Sequence, residues 1–129
     1  MGDDTDTAAF LALLASWADG NAAFATGIRA LFSDDCIWDQ PPIGGTIGPD
    51  EAIALVQGMD ASGLASIRVE CRNVATAGGV IFTERYDEVL GPDGSVVVAL
   101  PVVGVTEMRD GKIVAWREYF DSGALHPEG

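Results

Sequence analysis

Arg85 and Asp87 sit two apart in Thr83-Glu84-Arg85-Tyr86-Asp87, and Glu118 sits in Trp116-Arg117-Glu118-Tyr119-Phe120-Asp121. Residues two apart on a strand point to the same face, so Arg85 and Asp87 share one. A neighbouring strand can bring Glu118 up to them. The planar fork of Arg85 could then bridge both carboxylates and hold each in place. Two acids beside one guanidinium feel different neighbours, which separates their proton affinities. One stays protonated as a general acid while the other is an ionised base. A water on the base could attack an electrophilic carbon while the acid protonates the departing oxygen, an arrangement suited to epoxide opening. The same spacing also describes an ion-pair network among exposed strand residues, and periodicity alone leaves both readings open.

The elements that must position these residues are legible in outline. Thr5 or Asp6 can cap a helix whose apolar positions Phe10, Leu13, Leu14 and Trp17 recur at helical spacing. Gly20 ends it, and Asn21 can cap a second helix running through Leu31. Cys36 to Gln40 reads as a short strand, stopped by Pro41-Pro42 and a Gly-rich loop from Gly44 to Gly48. Pro49, Asp50 and Glu51 open a third helix that runs to about Met59. Ser66 to Thr76, Val80 to Leu90, Ser95 to Arg109 and Lys112 to Asp121 read as strands joined by Gly- and Asp-Gly-containing turns, an antiparallel meander. The expected fold is therefore α+β: three N-terminal helices wrap a curved antiparallel sheet into a cone with a deep apolar pocket. Pro101 and Gly104 are candidate sites for bends or bulges in so long a strand.

Length and composition set the remaining limits. A chain of 129 residues, 48% hydrophobic, is expected to form a single domain over residues 1–129 with a substantial core. The acidic Met1-Gly2-Asp3-Asp4 start lacks the basic flank of a secretory signal, and no apolar run is long enough for a bilayer span. A formal charge of −13 argues against nucleic acid and anionic membranes as partners. Cys36 and Cys71 are too few for a disulfide framework and read as small buried hydrophobes, which points to the cytoplasm. A lone His126 near the end, with no Cys or His cluster, makes a metal site unexpected.

The two charged motifs, together with Gly111-Lys112-Ile113 and weaker likeness from Ile37 to Ile53, resemble the limonene-1,2-epoxide hydrolase family. That family lies within the SnoaL-like and nuclear-transport-factor-2-like superfamily, whose cystatin-like α+β barrel matches the expected cone. The resemblance implies a cofactor-independent hydrolase acting on a small apolar epoxide, and a homodimer. It gives Asp87 the role of acid, Arg85 that of the bridge and Glu118 that of the base, where the family has Asp. The family's water-holding Tyr and Asn fall on Trp38 and Gln40, so an indole and a longer amide replace them. Leu64, Val69, Val89, Leu100, Val102, Trp116 and Phe120 are the expected substrate-pocket residues, although core packing alone explains apolar side chains there.

Other functions fit the same superfamily. In a ketosteroid-isomerase-like reading Asp39, ahead of Pro41, would be the base, but the companion acid falls near Gly104, which has no side chain. A SnoaL-like cyclase and a non-catalytic small-ligand binder share the fold, and fold alone does not choose among them.

Overall fold

In the computed structural model, which describes residues 2–125, helices α1 (Gly2–Ser16), α2 (Asn21–Leu31) and α3 (Gly48–Ala61) pack on a sheet of six strands. The strands are β1 (Phe32–Gln40), β2 (Gly44–Ile47), β3 (Ser66–Ala77), β4 (Val80–Leu90), β5 (Val96–Arg109) and β6 (Lys112–Tyr119), in the spatial order β2-β1-β6-β5-β4-β3. The curved sheet does not close on itself: β2 and β3 are its edges, and the helices cover its concave face. His126 lies outside the described residues.

Several local expectations change. Helix α1 begins at Gly2, so Thr5 and Asp6 lie within it rather than capping it; acids in a first turn suit the helix dipole. The segment from Gly44 to Ile47, expected as part of a loop, is a strand that pairs antiparallel with β1, with Ile37 opposite Ile47 and Gln40 opposite Gly44. Strands β3 to β6 form the meander, but β1 joins β6 in parallel, Trp38 beside Trp116 and Asp39 beside Arg117. Such a pairing needs a long crossover and cannot be read from turn residues. Register shifts fall between Cys71 and Asn73, between Val89 and Leu90, and between Glu107 and Met108. Pro101 and Gly104 sit in unbroken register opposite Tyr86 and Thr83, so neither is a bulge. Pro101 is tolerated in an interior strand although it cannot donate to the ladder.

Burial resolves which sheet faces look inward. Ile81, Thr83, Arg85, Asp87 and Val89 of β4 are buried, as are Leu100, Val102 and Gly104 of β5, while Phe82 and Val103 are exposed. At the centre of the core Trp38 and Trp116 stack in parallel, with ring centroids 4.8 Å apart. Phe24 and Phe32 meet both indoles edge-on, and Phe10 meets Trp116 the same way. Such aromatic pairs contribute roughly 0.5–1.5 kcal/mol each beyond their buried area.

Asn21 does not cap α2 with its side chain. Its Oδ1 instead accepts a hydrogen bond from Trp17 Nε1 at 2.9 Å, while Nδ2 donates to Asp60 Oδ1 at 2.9 Å and to the Leu64 carbonyl at 2.7 Å. One buried amide thereby ties the 3-10 turn Trp17–Asp19 that follows α1 to the end of α3 and the approach to β3. Asn21→Ala should lower unfolding free energy by about 2–3 kcal/mol, because it leaves the Trp17 indole and the Leu64 carbonyl unpaired. Urea unfolding measures this, and a change below about 0.5 kcal/mol, the ordinary surface value, would show the tie to be unimportant.

Candidate active site

The parallel β1–β6 register places the first half of the site. With Trp38 directly beside Trp116, alternation turns Trp38 and Gln40 toward the same concave face as Glu118. Glu118 Oε1 accepts from Trp38 Nε1 at 2.9 Å and from Gln40 Nε2 at 3.0 Å. A carboxylate only accepts, so the Gln40 amide must present its NH2 to Glu118, leaving its carbonyl oxygen free.

The second half comes from β4. Arg85 Nη2 donates to Asp87 Oδ2 at 2.7 Å and to Glu118 Oε2 at 2.5 Å, and Nε donates to Asp87 Oδ1 at 3.2 Å. Strand β5 lies between β4 and β6, so the guanidinium spans strands roughly 10 Å apart. It passes over Gly104, which is opposite Thr83 on one side and Glu118 on the other. A Cβ at Gly104 would stand 3.1 Å from Arg85 Nη1 and 2.8 Å from Thr83 Oγ1. Glycine thus supplies the clearance over which the arginine crosses the sheet.

All three ionisable groups are buried, with Arg85 1%, Glu118 3% and Asp87 6% exposed. One cation facing two carboxylates in a low dielectric favours retaining one proton, so that the cluster is neutral. Burial raises the Asp87 pKa above the ordinary aspartate value, and the charge of Glu118 adds to the rise, together outweighing the pull of Arg85. For Arg85 itself burial acts downward, but the charges and hydrogen bonds of Glu118 and Asp87 outweigh it, and the guanidinium stays firmly protonated.

Above the cluster opens a cavity of about 250 Å³, largely apolar, with Asp87, Glu118 and Gln40 at its polar end. Of the residues expected to line it, Leu64, Val89, Leu100, Val102 and Phe120 do so, beside Trp38. Trp116 and Val69 are not part of the lining: Trp116 is fully buried beneath Trp38, and Val69 packs against the core. Sequence reading missed Ile43, Leu55, Met59, Ile67 and Val98, and treated Trp17 as helix core alone; all six line the cavity. The spacing of Leu55 and Met59, four apart on α3, was an available signal. Ile43 follows the Pro41-Pro42 turn and carried none.

Asp39 alternates with Trp38 and Gln40 and pairs with Arg117 and Gly45 away from the cavity, so it is not placed to act as an isomerase base there. Burial, with Asp35 adding to it, pushes the Cys36 thiol up to about 12, and burial also raises Cys71, which suits neither as a nucleophile. Among the described residues no group of three or more His, Cys, Asp or Glu side chains is arranged to hold a metal ion, and no helix is long and apolar enough to cross a membrane.

A curved sheet wrapped by helices over one deep pocket defines the nuclear-transport-factor-2-like fold class. An NTF2-like protein from Anabaena variabilis superposes with a TM-score of 0.74 at 18% identity, covering 94% of this chain and 90% of that one. A Mycobacterium tuberculosis epoxide hydrolase described as similar to limonene-1,2-epoxide hydrolase gives a TM-score of 0.77 at 23% identity, over 96% of this chain and 88% of that one. Within that fold the chain belongs to the limonene-1,2-epoxide hydrolase family, whose catalytic-domain profile matches residues 7–126. It is also 30% identical over 95 residues to epoxide hydrolase EphG of Mycobacterium tuberculosis, a match covering 73% of this chain and 60% of that protein's length.

The charge balance of the cluster is testable without any substrate. Arg85→Met leaves two buried carboxylates with no cation and should cost about 3–5 kcal/mol of stability at neutral pH. The loss should shrink as pH falls and the carboxylates protonate, because each would then carry a folded-state pKa raised above its unfolded value. A loss that is small, or that does not vary with pH, would mean that the three groups do not act as one charged unit.

Proposed function

We propose that the chain is a cofactor-independent epoxide hydrolase that adds water to a small apolar epoxide in one step. The observation that carries this reading is that Arg85 bridges Asp87 and Glu118 at the polar end of an otherwise apolar cavity. Asp87, whose pKa burial raises, is the group that donates a proton to the epoxide oxygen as the carbon–oxygen bond breaks. Glu118 takes a proton from the water whose oxygen forms the new bond, and the product is a vicinal diol. Arg85 keeps both carboxylates aimed and balances their charge. Membership of the limonene-1,2-epoxide hydrolase family supports the same assignment of roles.

The nucleophilic water must fit a rebuilt holder. Glu118 Oε1 already accepts two hydrogen bonds and Oε2 accepts one from Arg85. A carboxylate offers about four lone-pair sites, so roughly one remains, on Oε2. Trp38 can donate but not accept, and therefore fixes the base rather than the water. The water donates one hydrogen to Glu118 and the other to the free carbonyl oxygen of Gln40. This set moves the water along with the longer carboxylate, and keeps it held at two points.

Residues 1–129 are taken to act as a single domain in the cytoplasm, a location supported by the two free cysteines. They are taken to act as a homodimer, supported by exposed Ile37, Ile47, Phe82, Val103 and Tyr119 on the outer sheet face. Light scattering should give the mass of two chains, and that of one chain for Val103→Arg; a one-chain mass for the unaltered protein excludes the dimer.

The activity is tested by incubating the protein with a panel of small apolar epoxides in oxygen-18 water. Labelled diol should form and should fall at least a hundredfold in both Asp87→Asn and Glu118→Gln, by analogy with the usual contribution of acid–base groups, about 10²–10⁴. The alkaline limb of kcat should report loss of the Asp87 proton, at a pH above the ordinary aspartate range, and Asp87→Asn should abolish it. No turnover on any epoxide, with ligand affinity unchanged in both variants, would instead identify a binding protein.

A further inference from the structure

On the side of Arg85 away from the cavity lies a second polar cluster that the proposed reaction does not use. Arg85 Nη1, Thr83 Oγ1, Thr106 Oγ1 and Trp116 Nε1 are buried, and none has a hydrogen-bond partner among the described residues. Thr83, Thr106, Trp116 and Arg85 are each at most 2% exposed, and none of them lines the cavity. Three of these atoms surround the point where a side chain at Gly104 would begin: Thr83 Oγ1 at 2.8 Å, Arg85 Nη1 at 3.1 Å and Trp116 Nε1 at 3.6 Å. Thr106 is the next residue on this face of β5 and is directly opposite Trp116.

We propose that one structural water, bound beside Gly104 by Arg85 Nη1, Thr83 Oγ1 and Trp116 Nε1, fixes the guanidinium in the plane that serves both carboxylates. The hydrogen-bonding capacities match. The guanidinium and the indole only donate, and a water accepts two hydrogen bonds. Its own two hydrogens go to acceptors, and the Thr83 and Thr106 hydroxyls are acceptors on this face. Buried polar groups left unpaired are costly, and buried waters typically make about three hydrogen bonds to such groups. Nε and Nη2 of Arg85 are committed to Asp87 and Glu118, so Nη1 is the corner by which the ring of donors can be held from behind. Thr83 and Trp116 are positioning residues in this arrangement: they touch neither substrate nor carboxylate and act through Arg85.

The water site stands on geometry alone, whereas its effect on turnover rests on the hydrolase reading. A crystal structure at atomic resolution should show one fully occupied water within about 3 Å of Arg85 Nη1, Thr83 Oγ1 and Trp116 Nε1. Thr83→Val, nearly isosteric, should empty the site and lower kcat about ten- to a hundredfold with KM little changed, as expected for a loss of alignment. Thr83→Ser should restore both water and rate. Gly104→Ala presses directly on Thr83 Oγ1 and Arg85 Nη1 and is the harsher variant; Thr83→Val keeps the test open if it fails to fold. Clear density with no water in the unaltered protein overturns the site, whatever the activity. A water present and lost in Thr83→Val with kcat unchanged overturns the positioning role. If no epoxide is turned over at all, the density still decides the water while the hydrolase reading fails by itself.

Discussion

One guanidinium placed between two carboxylates, inside an apolar interior, governs how the rest of this molecule is built. Arg85 is nearly inaccessible, and so are Asp87 and Glu118. Separated, any of them would be a prohibitive burden to bury; together they are tolerable only with good geometry and a full set of donors. The geometry requires strands β4 and β6 to flank a strand whose residue at the crossing has no side chain, and Gly104 meets that need. The donors require β1 to lie beside β6 in parallel, so that Trp38 and Gln40 arrive at Glu118. The stacked indoles of Trp38 and Trp116 hold that register from below.

Under the proposed roles, the changes that the resemblance implies from the family pattern read as one compensated set. A glutamate in place of an aspartate reaches further by a methylene, and the amide facing it is lengthened by the same unit. The indole at position 38 gives the longer carboxylate a rigid donor, anchored by the aromatic core instead of by a hydroxyl. Each change alone would shift a reacting atom by about an ångström, enough to matter for rate. Made together, they keep Glu118 hydrogen-bonded on both of its oxygens.

Much of this was legible in the sequence because it depends on strand periodicity. The shared face of Arg85 and Asp87 follows from alternation, and the choice of Glu118 as their third member from family likeness. What alternation could not supply was the inward face, which only packing against the helices decides. The parallel neighbour of β6 is joined to it through most of the chain, and no local signal specifies that pairing. Strand β2 was hidden because Gly44 and Gly45 favour turns, and the pairing with β1 overrides their low strand propensity. Asn21 looked like a cap, since caps are where asparagine most often acts, whereas here its amide binds three separate segments. Gly104 looked like a bend, and its purpose became visible only with a side chain crossing above it.

The donor-only character of the groups around Glu118 gives the proposed site a direction. Indole, guanidinium and the amide NH2 can all stabilise negative charge on this carboxylate, yet none can relieve it of a proton once it has taken one. In the proposed reaction a proton gathered at Glu118 returns to Asp87 through the cavity onto which both carboxylates open. Under this chemistry the water that replaces a departing product also resets the two acids, so emptying the pocket and recharging the catalyst become a single event.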